Sequence, residues 1–167
     1  MDIVQLSIPL EFIRNLVRVS WRDLRFGLVS ELLDPQAPVE WGREQIARLT
    51  HPPEALIDLV GMSENCPSLG LVDQLAEDEP EQAGDQIRDK WLYLVLVWIY
   101  EHKDEYPDSL QRVEEVYGDF DYPEQMANFV RNMPMTGPDL GSIEANERRL
   151  FKRWKQYIGE TAPKYAP

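Results

Sequence analysis

The sequence contains very few of the residues that form metal sites or nucleophilic catalytic pairs. Among 167 residues there is one cysteine, Cys66, and there are two histidines, His51 and His102. One cysteine cannot form an internal disulfide, and a zinc site needs a cluster of Cys and His at ligand spacing. A catalytic pair would have to combine Cys66 with one of the histidines, and no local signature supports such a pair. We therefore interpret Cys66 as a structural residue.

Sequence motifs that mark other kinds of catalytic or ion-binding site are also missing. There is no phosphate-cradling glycine loop and no Gly-x-Ser-x-Gly elbow. Acid pairs such as Glu114–Glu115 or Asp119–Asp121 could be imagined as ligands of a hard cation, but neighbouring helical residues do not share a face. Asp119-Phe120-Asp121 also lacks the spaced acids and glycine of a calcium loop. We predict no catalytic residue, no metal and no cofactor, and hence a protein that is not an enzyme.

No uncharged apolar stretch is long enough to cross a membrane. The ten-residue segment 91–100 (WLYLVLVWIY) is about half of what a spanning helix needs, which is ~18 or more apolar residues. The first residues also lack a charged region followed by an apolar one, which would mark a secretory signal. We expect a cytoplasmic protein with no membrane partner.

Basic residues are scarce relative to acidic ones. Seventeen Lys and Arg stand against thirty Asp and Glu, so the formal net charge is −13. This charge repels phosphate backbones and anionic lipids alike, and direct binding to nucleic acid is not expected. The segment from Ser142 onward is the exception, with six basic and three acidic side chains. A basic protein is the partner that the charge favours.

The apolar segment 91–100 is predicted to be the middle of a buried central helix of about residues 85–105. Polar residues precede and follow it, so the two polar ends of such a helix would reach the protein surface. A buried parallel strand is the alternative, since short apolar runs are ambiguous, but the helix-forming flanks favour a helix. Trp91, Tyr93, Trp98 and Tyr100 could line a ligand slot, although aromatic residues at this density more often form a core.

Proline and capping residues divide the rest of the chain into short helices. Ser20 with Asp23 predicts a capping box, and helices are expected after Pro9, Asp34-Pro35, Pro53, Cys66-Pro67, Pro107 and Asp121-Tyr122-Pro123. The first two helices after Ser20 should form an antiparallel pair. The helix after Asp121-Tyr122-Pro123 is predicted to face inward with Met126, Phe129, Val130 and Met133. The final helix is predicted to carry an apolar stripe of Ile143, Leu150, Trp154, Tyr157 and Ile158.

These elements predict an all-α fold: a single compact multi-helix domain over residues 1–167, with α-hairpins packed around one long buried central helix. A basic amphipathic helix of about residues 142–158 closes the chain. Acidic residues concentrate in the loop that leads into the central helix and in the turn at 119–124. We predict that these residues contact the partner, the alternative being a merely solubilising surface: Glu77, Asp78, Glu79, Glu81, Asp119, Asp121 and Glu124.

Several phrases of the sequence resemble a family of small bacterial proteins known as a domain of unknown function. They are IPLEFIR (8–14), WRDLRFGL (21–28), WLYLVL (91–96), YGDFDYPE (117–124), FVRNMP (129–134), PDLGS (138–142) and the aromatic helix at 154–157. The resemblance carries no established reaction and no functional residue. Small acidic helical bacterial proteins of this type resemble, as a class, the immunity proteins that are paired with toxins.

Two hypotheses follow from these observations. The first is a protein that binds and neutralises another protein, with an immunity protein for a nucleic-acid-cleaving toxin as the specific case. The second is an enzyme or a small-ligand-binding protein whose site is built from scattered residues. The gene neighbourhood discriminates between them, because a toxin-like reading frame directly upstream favours the first and a metabolic operon favours the second.

Overall fold

The computed structural model describes residues 5–62 and 68–167, so the predicted helix boundary at Cys66-Pro67 lies outside the described residues. Those two ranges hold eight α-helices: α1 Leu10–Leu16, α2 Trp21–Val29, α3 Ala37–Ile46, α4 Glu54–Val60, α5 Leu69–Glu77, α6 Gly84–Glu101, α7 Ser109–Asp119 and α8 Ile143–Tyr165. Two short 3-10 helices, Lys103–Glu105 and Glu124–Met126, lie between them. The predicted all-α fold class is confirmed.

A short extended contact precedes α1 in the described chain. Ile8 forms an isolated parallel bridge with Leu33, and its backbone N–H donates to the carbonyl of Leu32 at 2.9 Å. Pro9 then precedes the first helical residue. Both Ile8 and Leu32 are fully buried, so this short contact fixes the segment before α1 against the segment that follows α2.

Capping side chains begin three of the helices, and the box predicted at Ser20 and Asp23 is one of them. Ser20 and Asp23 form the complete capping box of α2. The side chain of Asp108 accepts the backbone N–H of Gln111 at the start of α7, and Ser142 accepts that of Ala145 at the start of α8. Each cap satisfies an N–H group that the helix itself cannot pair.

The described chain divides into two compact units, one of residues 5–91 and the other of residues 92–166, and α6 runs through the boundary. In the first unit α2 packs on α5, α3 on α4, and α4 on α5. The predicted pairing of α2 with α3 is not among these packings. The rings of Phe26 and Trp91 stack at 6.1 Å between centroids, and Gly27 lies directly against the same indole.

In the second unit aromatic pairs join the last ten residues of α6 and the segment before α8 to α8 itself. Tyr93 meets Tyr165 at 5.8 Å, and Tyr100 meets the buried ring of Trp154 edge-on at 5.0 Å. Phe129 packs on Tyr157 at 5.5 Å. Offset and edge-to-face geometries of this kind add to the stabilisation from burial alone. Tyr93 and Tyr100, two of the aromatic residues that could have lined a ligand slot, are therefore used in packing.

The buried central helix is confirmed as α6. Its residues from Trp91 to Val97 are all buried. Trp98 and Tyr100, which were also expected to be buried, are only half-buried. The helix ends at Glu101 rather than at about residue 105, because the backbone tightens there into the 3-10 turn of Lys103–Glu105. None of the helices described here is long and apolar enough to cross a membrane.

Two local predictions were wrong. Between α7 and α8 the chain forms no α-helix: Asp121 and Tyr122 both adopt positive φ, and only the 3-10 turn Glu124–Met126 follows. Met126, Phe129 and Val130 are nevertheless buried, as expected, while Met133 is half-buried. Ile143 was expected in the apolar stripe of α8 and is instead 75 % exposed, because it is the first residue of the helix.

Candidate partner-binding site

The predicted acidic loop connects α5 to α6 in the first unit. Glu77 is the last residue of α5, and the side chains of Glu77, Asp78 and Glu81 are exposed. Within the described part of the chain, none of these three carboxylates makes a side-chain hydrogen bond or an ion pair. The fourth predicted residue, Glu79, is only partly exposed and has a different environment.

Glu79 caps the N-terminus of α2. Its Oε1 accepts the backbone N–H of Trp21 at 2.7 Å, and its Oε2 accepts that of Arg22 at 3.1 Å. Arg22 in turn donates its Nη2 to the carbonyl oxygen of Glu79 at 3.1 Å. The first N–H groups of a helix lack intrahelical acceptors, and a carboxylate is favoured at the positive end of the helix dipole. Glu79 thus anchors the loop.

The anchored loop presents three carboxylates on a fixed backbone. Together with the Ser20–Asp23 box, Glu79 completes the pairing of the first N–H groups of α2. Sequence reasoning assigned Glu79 to the exposed set because its partners lie 57 and 58 residues away, and no local pattern reports such a contact. Glu77, Asp78 and Glu81 keep the exposure that a partner contact requires.

The predicted acidic turn lies in the second unit and begins at Asp119, the last residue of α7. Asp121 has φ 60° and Tyr122 has φ 58°, and the Tyr122 N–H donates back to the carbonyl of Tyr117 at 2.8 Å. Asp121 and Glu124 are exposed, while Asp119 is partly buried. Asp119 and Asp121 already interact with other groups of the protein. Tyr122 is 69 % exposed, so this turn displays an aromatic ring beside its carboxylates.

Arg131 organises a charged cluster that the sequence did not indicate. Its guanidinium lies 2.7 Å from Asp108, 2.8 Å from Glu114 and 3.4 Å from Glu147, which places α7 and α8 around one cation. The hydrogen bond from Arg131 holds the pKa of the Asp108 carboxyl below its ordinary value, and the same bond raises the pKa of Arg131. The cluster is a structural link, in which three carboxylates share one guanidinium and leave a formal net charge of −2.

Arg149 and Arg153 of α8 hold the loop before that helix. Arg149 Nη1 donates to the carbonyl of Pro138 at 2.7 Å. Arg153 donates to the carbonyl of Asn128 at 3.0 Å and to the hydroxyl and carbonyl oxygens of Thr136 at 2.8 and 3.0 Å. Between this loop and α8 lies an open groove of about 200 Å³. No sequence pattern indicates this groove, since its walls are brought together only by the fold.

The remaining sequence candidates gain no chemical role from the structure. Cys66 lies outside the described residues, His51 is exposed, and the ring of His102 stacks on Trp98 at 4.0 Å with Nδ1 at 2.8 Å from the Trp98 carbonyl. Among the residues with described positions, no three His, Cys, Asp or Glu are grouped so as to hold a metal ion.

Comparison with protein families gives one result that covers nearly the whole chain. Residues 10–162 match the family described as an uncharacterised protein conserved in bacteria, DUF2247, and the chain belongs to this family. This confirms the resemblance to a bacterial family of unknown function. Comparisons with curated proteins and with solved structures found no match.

Proposed function

We propose that this member of the DUF2247 family is a non-enzymatic, cytoplasmic, immunity-type protein that binds and neutralises a cognate bacterial toxin. The observation that supports the proposal is the acidic loop, in which Glu79 is fixed on α2 while Glu77, Asp78 and Glu81 remain exposed. The net charge of −13 acts in the same direction.

A fixed acidic loop suits a basic partner for two physical reasons. Ordering a loop on binding costs conformational entropy, and a loop that is already anchored avoids part of that cost. A protein that cleaves nucleic acid carries Lys and Arg to hold phosphates, and carboxylates can occupy those same groups. A cognate nuclease toxin is therefore the partner class that fits the loop best.

The exposed side chains of the acidic turn, Asp121 and Glu124, are a second contact in this proposal. The turn adds Tyr122, and exposed tyrosine is enriched at interfaces because the ring buries a large area at low conformational cost. Charge would steer the encounter, and contacts such as Tyr122 would slow dissociation.

The test measures binding of the toxin encoded by a reading frame directly upstream of this gene. Charge reversal of Glu77, Asp78 and Glu81 to Lys should lower the association rate constant by roughly tenfold or more at low salt, with less effect on dissociation. Rising salt should slow wild-type association as the Debye length falls below ~10 Å.

A matched control separates this loop from net charge. Glu101, Asp104 and Glu105 are also three exposed carboxylates within five residues, and their reversal to Lys changes the net charge by the same amount. We expect this control to slow association much less than the loop variant. Equal effects of the two variants, an acidic partner, or an association rate that is insensitive to salt would contradict the proposal.

A further inference from the structure

The groove beside α8 is small and mostly apolar. The segment 127–136 forms one wall and the first half of α8 forms the other, with Val130, Met133, Pro134, Met135, Ile143 and Leu150 contributing apolar surface. Sites for small molecules usually enclose roughly 300–1,000 Å³. At about 200 Å³, this groove instead suits a single large side chain, the kind of anchor that dominates protein interfaces.

Large apolar side chains stand exposed on both walls of the groove. Met135 is 59 % exposed on the loop side, and Ile143 is 75 % exposed on the helix side. Isolated exposed apolar residues need no explanation, but two that face one apolar groove enlarge the surface a partner could cover. Met133 and Met135 are unbranched and adaptable, which suits contact with a side chain of varying shape.

The groove also carries positive charge on Arg149 and Arg153, and Arg149 adds to the hydrogen bonds from Asn146 and Gly141 in lowering the pKa of the nearby Asp139 carboxyl. Arg149 and Arg153 donate to carbonyl, hydroxyl and thioether acceptors, and within the described residues neither forms an ion pair. Nε of Arg149 is buried and has no hydrogen-bond partner among the described residues. Glu147 also lines the groove, and its carboxylate forms an ion pair with Arg131. An occupant with a carboxylate is therefore favoured over one with an ammonium group.

We propose that this groove is a docking site for a protein segment that inserts one large apolar side chain and presents a carboxylate on the adjacent residue toward Arg149 and Arg153. The site uses none of the residues of the acidic loop or the acidic turn. It goes beyond the proposed function and stands whether or not the partner is a toxin.

The experiment observes the methionine methyl groups by NMR in the full chain labelled at the methionine ε-carbon. Met133 and Met135 line the groove, while Met62 and Met126 serve as internal controls. Three capped dipeptides are titrated to about 10 mM, a range that detects millimolar dissociation constants: Asp-Phe, Lys-Phe and Asp-Ala. Asp-Phe should shift Met133 and Met135 saturably, Lys-Phe should bind at least fivefold more weakly, and Asp-Ala should cause no saturable shift.

Two variants with the same substitution test the location of the site. Ile143→Ser removes an exposed apolar wall of the groove and should weaken Asp-Phe binding at least fivefold. Ile57→Ser, at an isoleucine that is 50 % exposed on α4, should leave binding unchanged. Both positions are exposed, so neither variant should unfold the protein.

Several results would overturn the proposal. These are no shift of Met133 and Met135 with Asp-Phe, equal binding of Lys-Phe and Asp-Phe, or equal binding to the two serine variants. Methyl shifts that depend on protein concentration without peptide would assign the groove to a second copy of the chain and would also overturn it. None of these outcomes involves the toxin, so failure here is distinguishable from failure of the proposed function.

Discussion

The ammonium group of Lys90 lies 2.7 Å from Oδ2 of Asp23, and both side chains are largely withdrawn from solvent, at 12 % and 1 % exposed. Lys90 also donates to the carbonyl of Arg18 at 3.1 Å, and the Trp91 indole N–H donates to the Asp23 carbonyl at 2.9 Å. Asp23 therefore joins the start of α2 to the start of α6 through its carboxylate and its backbone.

Asp23→Ala is expected to lower the free energy of unfolding by about 3–5 kcal/mol, because it leaves the Lys90 charge without its partner and removes half of the capping box. Urea denaturation followed by tryptophan fluorescence measures this change. Asp73→Ala is the control, since its carboxylate is 3.9 Å from Arg25 and both side chains are well exposed. It should cost less than about 1 kcal/mol, and similar losses for the two variants would contradict the structural role of the buried pair.

The Asp23 site shows what local sequence can and cannot predict. Ser20 and Asp23 are three residues apart, so their capping box follows from helix geometry alone. Lys90 is 67 residues from Asp23, and nothing in the order of residues selects it over the sixteen other basic side chains. For the same reason, local sequence patterns do not indicate the anchoring role of Glu79 or the Arg131 cluster, because the partners in both come together only through tertiary packing.

The wrong predictions have equally specific causes. A helix after Pro123 was expected from apolar spacing, but burial of Phe129 and Val130 is achieved by irregular backbone that Arg153 supports through the Asn128 carbonyl. Ile143 has the correct spacing for the apolar stripe of α8, yet it stands at the helix start, where the helix contributes no preceding turn to cover it. Periodicity identifies a face but does not say how far along the helix that face is covered.

Gly27→Ala should destabilise the protein, although alanine normally favours a helix. A Cβ at residue 27 would lie 2.6 Å from Cη2 of the buried Trp91 ring and 3.0 Å from Cβ of Leu33. A buried indole has little room to move, so we expect a loss of about 1–3 kcal/mol or more in the free energy of unfolding. Gly159→Ala is the control within α8, where nothing lies within 4 Å of the added Cβ. It should stabilise by up to about 1 kcal/mol, and a neutral Gly27→Ala would show that the contact is loose.

The pair of Asp108 and Arg131 predicts a specific pH dependence of stability. The hydrogen bond from Arg131 lowers the pKa of Asp108 in the folded state, so its contribution is present above the unfolded-state pKa and is lost as pH falls through the lowered folded pKa. Asp108→Asn keeps a capping oxygen for α7 but removes the charge. The variant should be less stable than wild type near pH 6, by no more than about 1 kcal/mol because the side chain is 39 % exposed, and the difference should shrink toward pH 2.

Urea denaturation across this pH range measures that difference, and Asp104→Asn provides its control. Asp104 is 94 % exposed and 4.0 Å from Lys103, so its substitution should leave stability nearly independent of pH. Direct NMR titration of the Asp108 carboxyl adds a second measurement, in which Arg131→Gln should bring the pKa back toward its ordinary value. A difference that grows as pH falls has the wrong sign for this pair.

Glu79→Gln separates the anchoring of the acidic loop from its charge. The amide can replace at most one of the two carboxylate oxygens that accept the Trp21 and Arg22 N–H groups, and it lacks the favourable interaction with the helix dipole. We expect a loss of about 1–2 kcal/mol in the free energy of unfolding, together with faster hydrogen exchange at Trp21 and Arg22.

Glu81→Gln makes the same change of charge at an exposed position of the same loop, so it should leave stability and the exchange of those two amides unchanged. If the loop binds a basic toxin, the two variants should slow association by similar small factors, because each removes one negative charge. Only Glu79→Gln should also speed dissociation, because a released loop must be ordered again in the complex. Equal dissociation rates for the two variants would show that binding does not depend on the anchor, even where the stability measurement confirms it.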